Sequence, residues 1–441
     1  MRHTAPADEG EAFSDFGQLR SFEGARTAAS ANLIPGLNRG LIPGALRHLL
    51  AYEPVLPTTD ALAPYLRQID RSRMYSNQGP LVKGLQHRLQ TLLGIGEGTT
   101  VATNSGTGAL VAAILAHAGS ADPARPYAIC PAHTFVATAL AAAQCGYRPW
   151  LADVCEDSWT LDPDRLADHP MLHQVGLVVP VCAYGRPLDV ARWARFQAAT
   201  GIPVVIDAAS AVEALVDGTM TCHPQIPIAL SFHATKVLGC GEGGCVVLPD
   251  PALLARVTQT TNFGFMGSRD CQSVSFNGKM SEYHAAVALA ELDGWAAKRA
   301  DFARIARTYH SALQQAGVAM DALVLHPQIA SNYVLYRCAG GAMAEHLRLA
   351  LADAAVEARF WYGGGLHRHS YLIDAPCDDL PVSERLSATL LGLPMGAAMT
   401  AGDVARVVAV LVAVLVGAPA SDHLAQPVWD RAAPIPASVP A

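Results

Sequence analysis

The amino-acid sequence predicts an α/β protein: a mostly parallel sheet sandwiched by helices, with a smaller α+β domain following it. Three observations carry this. From Tyr127 to Ile206, short continuous apolar runs alternate with Ala-rich or amphipathic stretches, the pattern of strands buried on both faces and joined by crossover helices. The chain has 441 residues, 51% hydrophobic and 16% charged, enough length and apolar content for one large packed unit and a smaller one. No internal repeat at solenoid or propeller spacing competes with that reading.

Taken in order, Tyr127–Cys130 reads as a strand, Val136–Cys145 as a helix, Trp150–Asp153 and Gly176–Val181 as strands, Val190–Ala198 as a helix and Pro203–Ile206 as a strand. From about residue 300 the pattern loosens into helices and one or two short strands, including Tyr333–Tyr336. The resulting division is an irregular N-terminal arm over 1–50, a large α/β domain over 51–300, a small domain over 301–418 and a Pro-rich tail over 419–441. The apolar run Val407–Val416 is far shorter than the roughly 20 residues that span a bilayer, so it reads as a buried C-terminal helix.

Composition narrows the function. A formal charge of −7 argues against a nucleic-acid partner or an anionic membrane surface, both of which need clustered Lys and Arg. The ten cysteines form no C-x-x-C pair and the polar N-terminus lacks an apolar secretory core, which together suggest a cytoplasmic protein with reduced thiols. Small-molecule chemistry is the class left.

In a sheet of this kind ligands collect at the carboxyl ends of the strands. Thr103–Leu110 opens a helix with Gly106, Thr107 and Gly108, small residues that leave backbone N–H groups open to a phosphate; an ordinary capped helix uses the same residue types. Asp207 ends an apolar strand among small residues, where a carboxylate can face a buried cation or simply cap a helix. Lys236 stands between an apolar strand and a glycine-rich turn in Leu230–Gly244, in reach of Ser231 and His233, where an amine can condense with an aldehyde. A lone lysine is more often a solvated surface group, so this reading leans on its neighbours. Three histidines, His233, His367 and His369, raise the question of a metal, but no carboxylate or cysteine stands at ligand spacing, and no metal is expected.

Between about Leu56 and Val410 the chain resembles the DegT/DnrJ/EryC1/StrS family of pyridoxal-5′-phosphate (PLP) enzymes, mostly nucleotide-sugar aminotransferases of fold-type I. The matching motifs run in the family's order: Tyr75–Pro80, Asn104–Leu110, Pro131–Thr138, Gly146–Pro149 with Asp153–Val154, Pro180–Gly185, and Ile206–Ala209. Ser231–Lys236 with Gly241–Gly244, Asn262–Phe265, Asn277–Glu282 and Gly365–His369 complete the set. The resemblance implies that Lys236 holds PLP as a Schiff base and that Asp207 pairs with the pyridinium nitrogen. It further implies that Gly106, Thr107, Gly108 and Ser231 hold the phosphate, that Phe135 stacks on the ring, and that Ser210 and His233 line the cofactor site. Asn277 would reach the phosphate of a neighbouring subunit, making a homodimer with shared active sites.

The implied reaction is transamination from an amino acid, L-glutamate, to a keto sugar carried on a nucleotide, with Tyr184, His367 and His369 on the substrate side. Two positions depart from the family: Ser210 replaces a frequent Gln or His, and Cys182 stands where Pro-Val-His is frequent. Two other readings stay open at this point. Some family members are sugar dehydratases or work with an iron–sulfur partner, typically with His in place of the lysine, and a silent PLP- or sugar-nucleotide-binding member would carry the same motifs.

Overall fold

The computed structural model describes residues 47–417. The expected tail over 419–441, and the arm over 1–50 apart from its last four residues, lie outside the described residues. Ten strands follow in chain order: β1 Thr100–Thr103, β2 Tyr127–Pro131, β3 Arg148–Ala152, β4 Val175–Val178, β5 Ile206–Asp207, β6 Ile228–Ser231, β7 Gly244–Val247, β8 Leu323–Val324, β9 Val334–Arg337 and β10 Leu390–Leu393.

The strands β3-β2-β4 and β5-β6-β7-β1 form two hydrogen-bonded groups. Parallel bridges between Val178 and Val204 and between Val181 and Asp207 join them edge to edge, giving the order β3-β2-β4-β5-β6-β7-β1. Only β7 runs against its neighbours, antiparallel to both β6 and β1. A second, antiparallel sheet of order β10-β9-β8 lies in the later part of the chain.

Strand periodicity divides the core. Along the large sheet, Ala128, Cys130, Leu177, Val205, Ala229 and Val246 turn to one apolar cluster, while Ile129, Val178, Ile206, Ile228, Cys245 and Val247 turn to another. Successive strand side chains point to opposite faces, so both faces must be apolar and both must be covered. The helices Gly106–His117, Ala137–Gln144 and Pro251–Thr261 cover the first face, and Val190–Thr200 and Glu282–Asp293 contribute to the second. In Gly106–His117 every residue from Gly108 to Ile114 is buried, which is why that helix reads as apolar all round and shows no clear amphipathic stripe.

The expected elements at 127–130, 136–145, 150–153 and 190–198 appear within two or three residues of their sequence limits. The run expected as a strand over Pro203–Ile206 shortens to β5, because Pro203 has no N–H for the ladder and Val204 makes only a single bridge. The apolar C-terminal run lies in the helix Ala401–Gly417, which buries Val404, Val407, Val408, Leu411 and Val414 at helical spacing. No helix among the described residues is long and apolar enough to cross a membrane.

Candidate active site

The site forms where β1, β5 and β6 end. After β1 the chain turns into the helix Gly106–His117, whose N-cap Ser105 accepts a hydrogen bond from the Gly108 N–H at 2.9 Å. The N–H groups of Gly106 and Thr107 take no acceptor among the described residues, and neither does the Thr107 hydroxyl. Ser231, the last residue of β6, lies against this helix start: a Cβ built on Gly106 would come within 2.6 Å of the Ser231 Cβ and 2.8 Å of its Oγ. A Cβ on Gly108 would fall 2.2 Å from Asn104 Oδ1, and one on Gly244 would fall 2.4 Å from the Ser105 carbonyl oxygen. Glycine is therefore required here for close approach. The product is a cup of free N–H groups and a serine hydroxyl at the positive end of a helix, a ready site for phosphate.

Asp207, at the end of β5, is buried. Its Oδ2 accepts from Thr138 Oγ1 at 2.7 Å and its Oδ1 from the Ala209 N–H at 3.0 Å. Burial pushes the carboxyl above its ordinary range, against the opposing pull of these two hydrogen bonds and of the Lys236 charge. A carboxylate held in a dry site without a cation at contact distance is matched to a cationic ligand group.

Lys236 lies in the loop from Phe232 to Gly243 between β6 and β7, a tight turn closed by Phe232 N–H to Gly243 O at 2.8 Å and Ala234 N–H to Gly241 O at 2.8 Å. Its Nζ donates to Ser210 Oγ at 2.9 Å. His233 stands on the same loop: its Nδ1 lies 2.8 Å from Thr235 Oγ1, and its backbone N–H donates to Ser231 Oγ at 3.3 Å. Phe135 is 61% exposed, leaving its ring face open to a ligand at the end of β2.

Comparison with known proteins gives the family. A model of the DegT/DnrJ/EryC1/StrS aminotransferase family matches residues 58–412. The chain belongs to this family. Protein Rv3402c of Mycobacterium tuberculosis is 30% identical over 372 residues, covering 80% of this chain and 86% of that one. The crystal structure of a putative PLP-dependent aminotransferase from Bacillus cereus superposes with a TM-score of 0.74 at 27% identity, over 83% of this chain and all of that one. The structure of DesI in the presence of its TDP-sugar product does so with a TM-score of 0.73 at 29% identity, over 84% and 94%. The fold is that of the fold-type-I transferases, and the protein is a PLP-dependent aminotransferase.

The residues present fit PLP. The cup of Gly106, Thr107 and Ser231 suits its phosphate, the buried Asp207 carboxylate suits a protonated ring nitrogen, and the Lys236 amine stands ready for its aldehyde.

The other expected residues lie in varied surroundings. Tyr184 is buried: its ring stacks on Tyr362 at 4.5 Å and meets Trp159 and Tyr333 edge-on, while its N–H donates to Tyr362 Oη at 3.1 Å. Cys182, which departs from the family, turns its thiol to the Met220 sulfur at 3.7 Å, and burial holds that thiol well above its ordinary range. The departure is filled by packing.

The segment Gly365–His369 docks on the end of β2 through Leu366 N–H to Ala132 O at 2.8 Å. Within it, His367 is largely covered, 3.5 Å from Glu384, and burial together with Arg368 lowers its proton affinity; His369 is exposed. Asn277 is exposed, and only its carbonyl oxygen, accepting from Asn104 Nδ2 at 3.2 Å, meets its own cup. Among the described residues no group of three or more His, Cys, Asp or Glu stands together to hold a metal ion.

Two residues were not singled out from the sequence. Thr138 lies within a quoted motif, one helical turn after Phe135, and its bond to Asp207 gives it a use. Tyr333, whose Oη lies 3.3 Å from Ser210 Oγ, belongs to no motif.

Proposed function

We propose that this aminotransferase moves an amino group from L-glutamate to a keto sugar carried on a nucleotide, in amino-sugar or natural-product biosynthesis, working as a cytoplasmic homodimer. The observation that carries the reading is the placement of a buried carboxylate, Asp207, and an amine, Lys236, at the ends of neighbouring strands beside a phosphate cup. The nucleotide-linked acceptor rests on the likeness to DesI, whose structure was determined in the presence of its TDP-sugar product.

PLP, when bound, supplies an electron-withdrawing ring that stabilises negative charge at the donor's Cα. The protein's residues do the rest. Gly106, Thr107 and Ser231 anchor the phosphate, and Phe135 limits water at the ring face. Asp207, steadied by Thr138 and the Ala209 N–H, keeps the ring nitrogen protonated in a site where burial strengthens that pairing. Lys236 Nζ would hold the cofactor's aldehyde carbon, and its free amine would serve as the base that carries the proton away from the donor's Cα.

Shared sites are supported by an exposed apolar surface continuous with Asn277. Tyr75 and Tyr283 stack at 6.3 Å and are about half exposed, and Phe263 and Met266 are open nearby on the segment paired to Asn277. A patch of this kind marks an interface.

The test is an absorbance titration of the PLP-loaded protein with L-glutamate and no sugar. Conversion of the lysine-bound cofactor band to the pyridoxamine phosphate band is expected. A band that stays put, with borohydride still fixing PLP on Lys236, would exclude glutamate as the donor.

A further inference from the structure

Lys236 Nζ has one hydrogen-bond partner among the described residues, Ser210 Oγ at 2.9 Å, and that hydroxyl has one further partner, Tyr333 Oη at 3.3 Å. Tyr333 comes from the turn Ala330–Tyr333, far along the chain, and the turn is pinned on both sides of the lysine. Ser331 donates through its N–H at 2.7 Å and its hydroxyl at 2.9 Å to Glu213, in the helix that follows Ser210. Asn332 Nδ2 donates to the carbonyl oxygen of Thr235, the residue before Lys236, at 2.9 Å. Ala330 N–H donates to Tyr184 O at 2.8 Å, and the Tyr333 ring is held edge-on by Tyr184 and Trp361, each at 5.5 Å. Glu213 is itself fixed by Arg299 at 3.0 Å. Loose association would need none of these ties.

Transamination requires the lysine nitrogen to act both as an ammonium and as a neutral amine. A serine hydroxyl has one proton and two lone pairs. When Lys236 donates, Ser210 turns its proton to Tyr333; when the neutral amine accepts, Tyr333 donates to Ser210 and Ser210 donates to Nζ. Both states are satisfied by turning two hydroxyls, without moving heavy atoms. We propose that Tyr333 is a positioning residue for Lys236, acting through Ser210 to set how readily the amine gives and takes its proton. This role rests on the aminotransferase reading of Lys236. It also explains how a serine serves where the family often carries a longer polar side chain.

Asp207 lies close enough to Lys236 to feel its charge, and Tyr184, Tyr362 and Tyr52 lie close enough to Tyr333 to feel its hydroxyl. All four stay in place when Tyr333 becomes Phe.

The experiment measures acetylation of Lys236 by acetic anhydride as a function of pH in the full-length apoprotein, read by peptide mass spectrometry. Removing the acceptor oxygen disfavours the ammonium, so below the midpoint Ser210→Ala should react about tenfold faster than wild type. Tyr333→Phe should react about threefold faster, because Ser210 loses the acceptor that orients and polarises it. The double variant should match Ser210→Ala, and Ser210→Thr should keep the wild-type profile. A Tyr333→Phe profile that coincides with wild type, or a double variant faster than Ser210→Ala, overturns the proposal. So does a lowered melting temperature with an unmoved profile, which marks a packing role alone. Should Tyr333→Phe not fold, equal profiles for Ser210→Ala and Ser210→Thr overturn it as well. Acetylation needs neither PLP nor an amino donor, so a failed glutamate titration with a shifted acetylation profile rejects the donor and leaves the positioning role standing.

Discussion

The two ends of the cofactor site are built from different materials. The phosphate end is made of backbone: Gly106 and Gly244 close to within contact of Ser231 and Ser105, and the donors are main-chain N–H groups whose positions the helix dictates. The ring and lysine end is made of side chains brought from remote segments, with Thr138 on Asp207 and Tyr333 on Ser210 on Lys236. A backbone site cannot adjust when a methyl group intrudes. A side-chain site can be tuned one hydroxyl at a time, and its errors should be graded.

The largest effect that sharpens this contrast is expected from Gly106→Ala. With a Cβ 2.6 Å from that of Ser231, the helix start or β6 must shift, and PLP affinity measured by fluorescence titration should fall by about 100-fold, as roughly 3 kcal/mol of phosphate contacts is lost. An affinity within threefold of wild type would show that the cup yields after all.

Next comes Asp207→Asn, which separates cofactor-free from cofactor-loaded protein. Burial raises the folded-state carboxyl of Asp207, so ionising it costs the folded apoprotein stability. Between the unfolded and the folded values the folded chain binds more protons than the unfolded one, and stability falls as pH rises through that window. Cofactor-free Asp207→Asn should therefore melt higher than wild type at pH 7, with the gap closing as pH falls below the folded value. The PLP-loaded variant should instead melt lower than loaded wild type. A variant less stable than wild type in both forms would break the argument.

The smallest effect is expected at Thr138→Val, which keeps the shape and removes one hydrogen bond to the carboxylate. The rate of the glutamate half-reaction should drop about tenfold, in line with a charged hydrogen bond worth roughly 1.5 kcal/mol, while PLP affinity changes little. A loss equal to that of Gly106→Ala in cofactor affinity would erase the distinction between the two ends.

The same contrast governs what could be read from the sequence. Strands such as β2 and β3 were legible because both of their faces are apolar, and the cup was legible because close approach demands glycine at fixed positions. The strand β7 was not: Gly241–Gly244 reads as a turn, and nothing local says that Gly244 itself begins a strand running back along β6. Tyr333 was not legible either, since an aromatic residue opening an apolar strand reads as core and its partner Ser210 is far away in the chain. Thr138 stood in a recognised motif, but a threonine on a helix gives no sign of its partner until Asp207 is placed. The burial of the Tyr184 ring was not legible for a related reason: its motif marks a special backbone, with φ at 54°, and that burial depends on Tyr362 and Trp159 from other segments.

The lone antiparallel strand carries a consequence for how the molecule assembles. Pairing β6 with β7 closes a short loop, so the turn that presents Lys236 forms from neighbouring residues at little cost in chain entropy. Pairing β1 with β7 joins segments separated by most of the large sheet, and the helix start at Gly106 is positioned only when that pairing is made. During refolding the lysine should become native-like early and the cup late. PLP added to a refolding chain would then find its anchor for the aldehyde before its anchor for the phosphate, and tight capture of the cofactor would report the last step of sheet closure.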